Sequence, residues 1–241
     1  MTAPEAADSD GANPSGADPG GADPSGPDPE PGPTEWGTGR VGVGPHPRPW
    51  PIDDRFDPQL LANGDARNVV DHYRYWRREA IVADLDRRRH PLHVAIENFA
   101  HDANIGTVVR TANAFAVHGV HIVGRRRWNR RGAMVTDRYQ HLSHHPDVAS
   151  LLAFAGGTGL TVVAVDNLPG SVPIETAELP RQSLLLFGGE SAGLTEEARA
   201  GAALTVSIVQ FGSTRSINVG VAAGIAMHAW IRRHADLSTA W

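Results

Sequence analysis

Between residues 92 and 233 the chain alternates short apolar runs with segments of helical periodicity, and this alternation restricts its fold more than any other feature. The runs at 92–97, 120–124, 161–165, 183–187 and 204–208 have strand length, and most are apolar at nearly every position. Helical spacing follows at 105–117, 146–155, 195–200 and 216–233, with Asp147 and Thr195 as helix starts. A strand that is apolar on both faces must be covered on both. The order therefore predicts an α/β fold, a mostly parallel sheet with helices on both faces.

What precedes this region differs in kind. Residues 1–50 are rich in Pro, Gly, Ala, Asp and Ser. They have too little apolar surface to offset chain entropy and are expected to form a disordered acidic tail. Residues 51–90 read as a linker and an N-terminal helical extension. A helix is expected over 65–89, with Val69, Tyr73, Trp76, Ala80 and Ala83 on one buried stripe. Arg74, Arg77, Arg78 and Arg87 to Arg89 fall on its other faces, as a solvated surface or an RNA contact. Residues 91–241 form the main domain.

The net charge of −5 conceals an asymmetry. Eight acids and no basic residue lie in residues 1–35, leaving 19 acids against 22 basic residues, every one an arginine. Such a body permits a polyanionic partner. Several classes drop out. With no cysteine there is neither a disulfide framework nor a Cys-ligated zinc site. With no lysine there is no Walker P-loop. Gly157-Thr-Gly159 follows a helix and precedes a strand, the reverse of a dinucleotide fingerprint. His141, His144 and His145 have metal-like spacing, but no acid or cysteine set joins them, and no metal is expected. No apolar run reaches about 18 residues, and no basic segment leads into an apolar one at the N-terminus. A cytoplasmic protein without a membrane span is expected.

Three polar breaks at strand ends carry the chemistry. In the first, Asn104 suits a helix N-cap, Gly106 lets another segment approach the first turn, and Arg110 lies about one turn further on. In the second, the run ending at Phe187 meets Gly188, Gly189, Glu190 and Gly193 before Thr195. Paired glycines there let a ligand lie against bare backbone. In the third, the run ending at Ile208 passes Gly212 and Arg215 and reaches Ser216, Ile217 and Asn218 at a helix start, where unpaired N–H groups can bind a ligand. Each has a plain alternative: a capped helix with a surface arginine, a tight turn with a surface acid, a core helix with an ordinary turn. A further stretch, residues 125–131, sets five arginines around Trp128. It reads as a solvated basic loop or as a grip on phosphates with a ring to stack on a base.

Taken together and in this order, the three motifs resemble the SpoU (TrmH-type) branch of the SPOUT RNA methyltransferases. Asn104, Gly106 and Arg110 match the family's first motif. Gly188, Glu190 and Gly193 match its second. Ile208, Gly212, Ser216, Ile217, Asn218 and Val219 match its third. Val209 stands where the family usually has proline, and Ile217 where it has leucine. The resemblance spans about residues 92–235.

The resemblance implies a C-terminal trefoil knot, which periodicity alone does not supply because knots are rare. It implies S-adenosyl-L-methionine as cofactor, held by Gly188, Gly189, Ile208, Gln210, Ser216, Ile217 and Asn218. It implies a catalytic set of Arg110, Asn104, Glu190, Ser216 and Asn218, methylation of a ribose 2′-hydroxyl in tRNA or rRNA, and a homodimer. It tips the reading of the basic loop to RNA binding through Arg126, Arg127, Trp128, Arg130 and Arg131. Base methylation, as in related SPOUT branches, and a non-catalytic RNA-binding module remain as alternatives.

Overall fold

The structure, a computed structural model, describes residues 42–99, 104–189 and 193–239. Seven strands form one sheet: β1 (His90–Asn98), β2 (Val117–Gly124), β3 (Leu142–His145), β4 (Thr161–Val165), β5 (Val172–Pro173), β6 (Ser183–Phe187) and β7 (Leu204–Ser207). Their spatial order is β3-β2-β1-β6-β4-β7-β5, and every pairing is parallel.

Both faces are covered, and side-chain alternation sorts the strands between them. Leu92, Val94 and Ile96 of β1, Val163 of β4 and Leu185 and Phe187 of β6 pack beneath α3 (Ile105–Ala114) and α6 (Val219–His234). Ala95, Val162, Ala164, Leu184 and Leu186 pack beneath α4 (Val148–Thr158) and α5 (Glu196–Gly201). The carboxylate of Asp147 caps α4 and the hydroxyl of Thr195 caps α5, as their positions predict. Trp230 of α6 is fully buried, and its Nε1 donates to the Pro180 carbonyl at 3.0 Å.

The sequence reading misses two strands. β3 is written Leu-Ser-His-His, so its buried position is a histidine and shows no apolar alternation. β5 has only two residues.

The extension departs further from expectation. The single helix over 65–89 is not formed. A 3₁₀ turn (Asp71–Tyr73) and α2 (Arg78–Asp86) take its place, preceded by α1 (Pro58–Asn63). The buried carboxylate of Asp65 explains the break. It accepts from the Arg67 guanidinium and from the amides of Arg67 and Tyr75. Tyr75 has φ of 64°, which no right-handed helix accommodates. The apolar stripe survives the break, since Val69, Tyr73, Trp76 and Ala80 still cluster around Ile81, but Ala83 is exposed. Tyr139 of the main domain completes that cluster, and Arg89 reaches the Tyr139 carbonyl at 2.7 Å, so the extension is fastened to the segment between β2 and β3.

Residues 42–50, expected as tail, pair with the extension. The Val43 and Asp65 amides exchange hydrogen bonds with each other's carbonyls at 2.9 and 2.8 Å, and the Tyr75 hydroxyl donates to the Gly44 carbonyl at 2.6 Å. The rest of the expected tail, residues 1–41, lies outside the described residues.

Candidate functional site

β4 and β6 end level with one another, because Phe187 pairs with Val165, while β1, whose Ile96 pairs with Phe187, runs on to Asn98. Beyond these carboxyl ends lies a cavity of about 790 Å³. Ligand sites of open parallel sheets form in this position, and the volume suits a small molecule. The floor is Val165, Asp166, Phe187 and Gly188; Gly189, Gly193, Ile208 and Gln210 form one wall; Arg215, Ser216, Ile217, Asn218, Val219 and Ala222 close it at the start of α6. All seven residues expected to hold the cofactor line this one cavity.

Asn218 is the N-cap of α6. Its Oδ1 accepts from the amides of Gly220 and Val221, and its Nδ2 donates to Asn104 Oδ1 at 2.9 Å. Asn104 sits at the N-cap of α3 but makes no side-chain cap there. Its side chain joins the two helix starts instead. The helices pack closely: a Cβ on Gly220 would lie 3.1 Å from the Thr107 methyl. Gly106 serves the close approach foreseen for it. A Cβ there would meet the backbone of Gly132 and Ala133 at 2.6–2.7 Å.

Arg110 projects from α3 into solvent, does not line the cavity, and has no hydrogen bond or ion pair among the described residues. Glu190 lies outside the described residues. Gly188 lines the cavity and also has a part in this chain's own packing. A Cβ on it would fall 2.1 Å from the Gly193 carbonyl carbon, so its missing side chain makes room for this chain's own backbone before any ligand. A bulky residue at Gly188 therefore disrupts the loop itself.

In the basic loop Arg126, Arg127, Arg130 and Arg131 are exposed. Trp128 is half-buried against the core, with the Arg130 guanidinium 5.8 Å from its ring centre, so it is less free to stack on a base than the sequence suggested. Asn98, buried at the end of β1, donates to the carbonyls of Arg125 and Arg127 at 2.7 and 3.1 Å and fixes the loop's path. On the small-residue face of α6, Ala223 and Ala226 are buried in this chain's own core, while Ala222 and Gly224 are half-buried. Val221 and Ile225 are the apolar residues that α6 leaves exposed.

Sequence reasoning missed Asp166, Asn167 and Leu168, which enter the cavity from the end of β4. An acid directly after a parallel strand was the available signal. The three histidines with metal-like spacing diverge: His141 bonds Asp86, His144 bonds the Gly124 carbonyl and His145 bonds His121. Among the described residues no group of three or more metal-binding side chains is placed to hold an ion, and no helix is long and apolar enough to cross a membrane.

This chain is similar to known proteins. The SpoU rRNA Methylase family profile matches residues 91–228. The tRNA (guanosine(18)-2'-O)-methyltransferase of Escherichia coli is 28% identical over 155 residues, covering 63% of this chain and 68% of the relative. Its namesake from Thermus thermophilus is 30% identical over 159 residues, covering 63% and 79%. The structure of an AdoMet-bound rRNA methyltransferase from Sinorhizobium meliloti superimposes with a TM-score of 0.55 at 27% identity, covering 62% of this chain and 60% of that one. With more than half its length matched, this chain belongs to the SpoU rRNA methylase family of RNA methyltransferases.

Proposed function

We propose that this chain transfers a methyl group from S-adenosyl-L-methionine to a ribose 2′-hydroxyl of tRNA or rRNA. The observation that carries the reading is the cavity in which the second and third motifs meet, tied to the first through the Asn104–Asn218 hydrogen bond. Relatives named as tRNA 2'-O-methyltransferases support ribose as the acceptor. The trefoil knot implied by the family resemblance belongs to the same reading.

The cavity fits the cofactor in size and in its mixture of apolar and polar walls. Phe187, Ile208, Ile217 and Val219 offer apolar surface, and the glycine loop offers backbone. Bound there, the cofactor supplies a methyl group already activated as a sulfonium. The protein then has to hold the hydroxyl oxygen in line and manage its proton. Arg110 suits positioning of RNA phosphate or stabilisation of developing alkoxide charge. It does not suit general-base work, because a guanidinium holds its proton too tightly to take one from a hydroxyl. Asn104, Ser216 and Asn218 hold the polar edge between α3 and the cavity, and Glu190 completes the set in this reading.

The exposed arginines of residues 125–131 supply the RNA grip. Changing Arg126, Arg127, Arg130 and Arg131 together to alanine should weaken RNA binding and lower the slope of log affinity against log salt, by something under about one per lost phosphate contact. Unchanged affinity would make the loop mere solvated surface. We also place a homodimer in this reading, formed over the exposed Val221 and Ile225 of α6. Sedimentation of an active protein as a monomer at micromolar concentration would exclude it.

Nucleoside mass spectrometry of RNA from cells with and without the gene tests the central claim. One 2′-O-methylnucleoside should vanish without the gene and return when purified protein and S-adenosylmethionine are added. A methyl group found on a base would overturn ribose methylation. No difference in any modified nucleoside, with no cofactor binding, would overturn the enzyme reading.

A further inference from the structure

Glu97 is a carboxylate buried to 1% exposure at the end of β1, and no ion pair neutralises it among the described residues. Its two oxygens serve one residue. The Thr195 amide donates to Oε2 at 3.0 Å, and the Thr195 hydroxyl donates to Oε1 at 2.6 Å. On the other side of β6, Asp166 follows β4. Its Oδ2 accepts from the Leu194 amide at 3.3 Å and its Oδ1 from the Asn167 amide at 2.8 Å. Two acids from the two strands that flank β6 thus hold two successive amides of the segment that returns from the β6 loop.

The two described ends of that loop meet closely. The loop leaves β6 at Gly188, and the chain passes so close to itself there that Gly188 cannot carry a Cβ. Gly193 donates back to the Gly189 carbonyl at 3.0 Å, with φ of 66° at Gly193. Among the described residues this bond closes the loop's neck beside the cavity that Gly188, Gly189 and Gly193 line. Helix capping does not account for Glu97. Thr195 caps α5 with its own hydroxyl, which accepts from the Ala198 amide at 3.3 Å. Burying a charged carboxylate without a cation costs several kcal/mol, and stability alone gives little reason to keep one there. Burial also pushes the Glu97 carboxyl above the usual carboxylate range.

We propose that Glu97, with Asp166 as its counterpart across β6, is a positioning residue for methyl transfer, holding residues 193–195, the returning end of the β6 loop, against the cavity that receives the cofactor. This rests on the cofactor reading above. Glu97 does not line the cavity, so its effect on the cofactor has to pass through the loop.

The test compares Glu97→Ala, Glu97→Gln and Asp166→Ala with wild type. Calorimetry with S-adenosylhomocysteine and steady-state methyl transfer on the same RNA are the readouts, with thermal transitions as the check on folding. Glu97→Ala should raise the cofactor KM about tenfold and leave the RNA KM within about twofold. Glu97→Gln keeps one acceptor for the Thr195 amide and offers its own NH₂ to the hydroxyl, so it should recover most of the loss. Asp166→Ala should weaken the cofactor several-fold and serves as the second variant if Glu97→Ala does not fold. A folded Glu97→Ala with the wild-type cofactor KM overturns the clamp. So does an equal rise in both KM values, which marks general loosening. If Glu97→Ala does not fold, an Asp166→Ala protein with wild-type cofactor affinity overturns it equally. Wild type that binds no S-adenosylhomocysteine overturns the cofactor reading, and the clamp with it.

Discussion

Arg110→Ala is expected to slow methyl transfer by a factor on the order of a hundred or more, while S-adenosylhomocysteine affinity stays within a few-fold. The two quantities separate because the residues involved are separate. The cofactor cavity is built from the ends of β4, β6 and β7 and the start of α6, and Arg110 lines none of it. The guanidinium stands exposed on α3 with no partner among the described residues, so its loss leaves no buried group unsatisfied and should cost little stability. What disappears is a fork of fixed donors available to RNA. Arg110→Lys keeps the charge but not the fork, and its rate should fall between the two. Single-turnover transfer at saturating RNA and cofactor reads the chemical step directly. Transfer by Arg110→Ala at the wild-type rate would place the catalytic centre elsewhere, with the fold unaffected.

How much of this was legible depended on how local the cause was. β4 and β6 could be read to the residue because, after Thr161 and Ser183 at their starts, every position in these doubly covered parallel strands is apolar. The caps at Asp147 and Thr195 are local, and both hold. The seven cavity residues came from motif resemblance, and the sheet order explains why they meet, since β6 and β7 both border β4. The failures have long-range causes. The Asn104–Asn218 bond joins residues 114 apart, and nothing near Asn104 reveals that its side chain leaves its own helix. That Gly188 also makes room for the returning Gly193 backbone is a tertiary feature that its neighbours in sequence do not announce. The helix expected over 65–89 had the right periodicity, but the buried carboxylate of Asp65 fixes a turn at Tyr75 that periodicity does not register. Glu97 is the last position of the run at 92–97, and only the fold brings Thr195 to it.

Acid should destabilise this protein well above the pH at which its carboxylates titrate, and the cause is a row of histidines under α4. His93 Nδ1 and His121 Nε2 lie 2.9 Å apart, as do His121 Nδ1 and His145 Nε2, so three imidazoles link β1, β2 and β3. His118 stacks on His93, and Phe154 of α4 covers the row. The nearby charged groups are few: His144 and Asp147 beside His145, and Arg89, Asp86 and His141 near His118. Burial first, then its histidine neighbours, lowers His121 to about 3, and burial followed by His118 lowers His93 to about 4. The folded protein therefore refuses protons that the unfolded chain accepts below about pH 6.5. Stability contributed by the neutral row is complete above that pH and is lost as pH falls toward 4 and 3. At pH 5 the loss from His121 is set by the unfolded value and comes to about 2 kcal/mol. His93 is only partly buried and adds less. Glu97, pushed up by burial, acts in the opposite sense, but it is one group against several histidines shifted downward. Urea unfolding between pH 7.5 and 5 should show stability falling with acid. His121→Phe, though less stable at neutral pH, should have a shallower slope by up to about 1.4 kcal/mol per pH unit, the share of one proton. A flat profile over that range, or an unchanged slope in His121→Phe, would show that the row takes up protons as freely folded as unfolded.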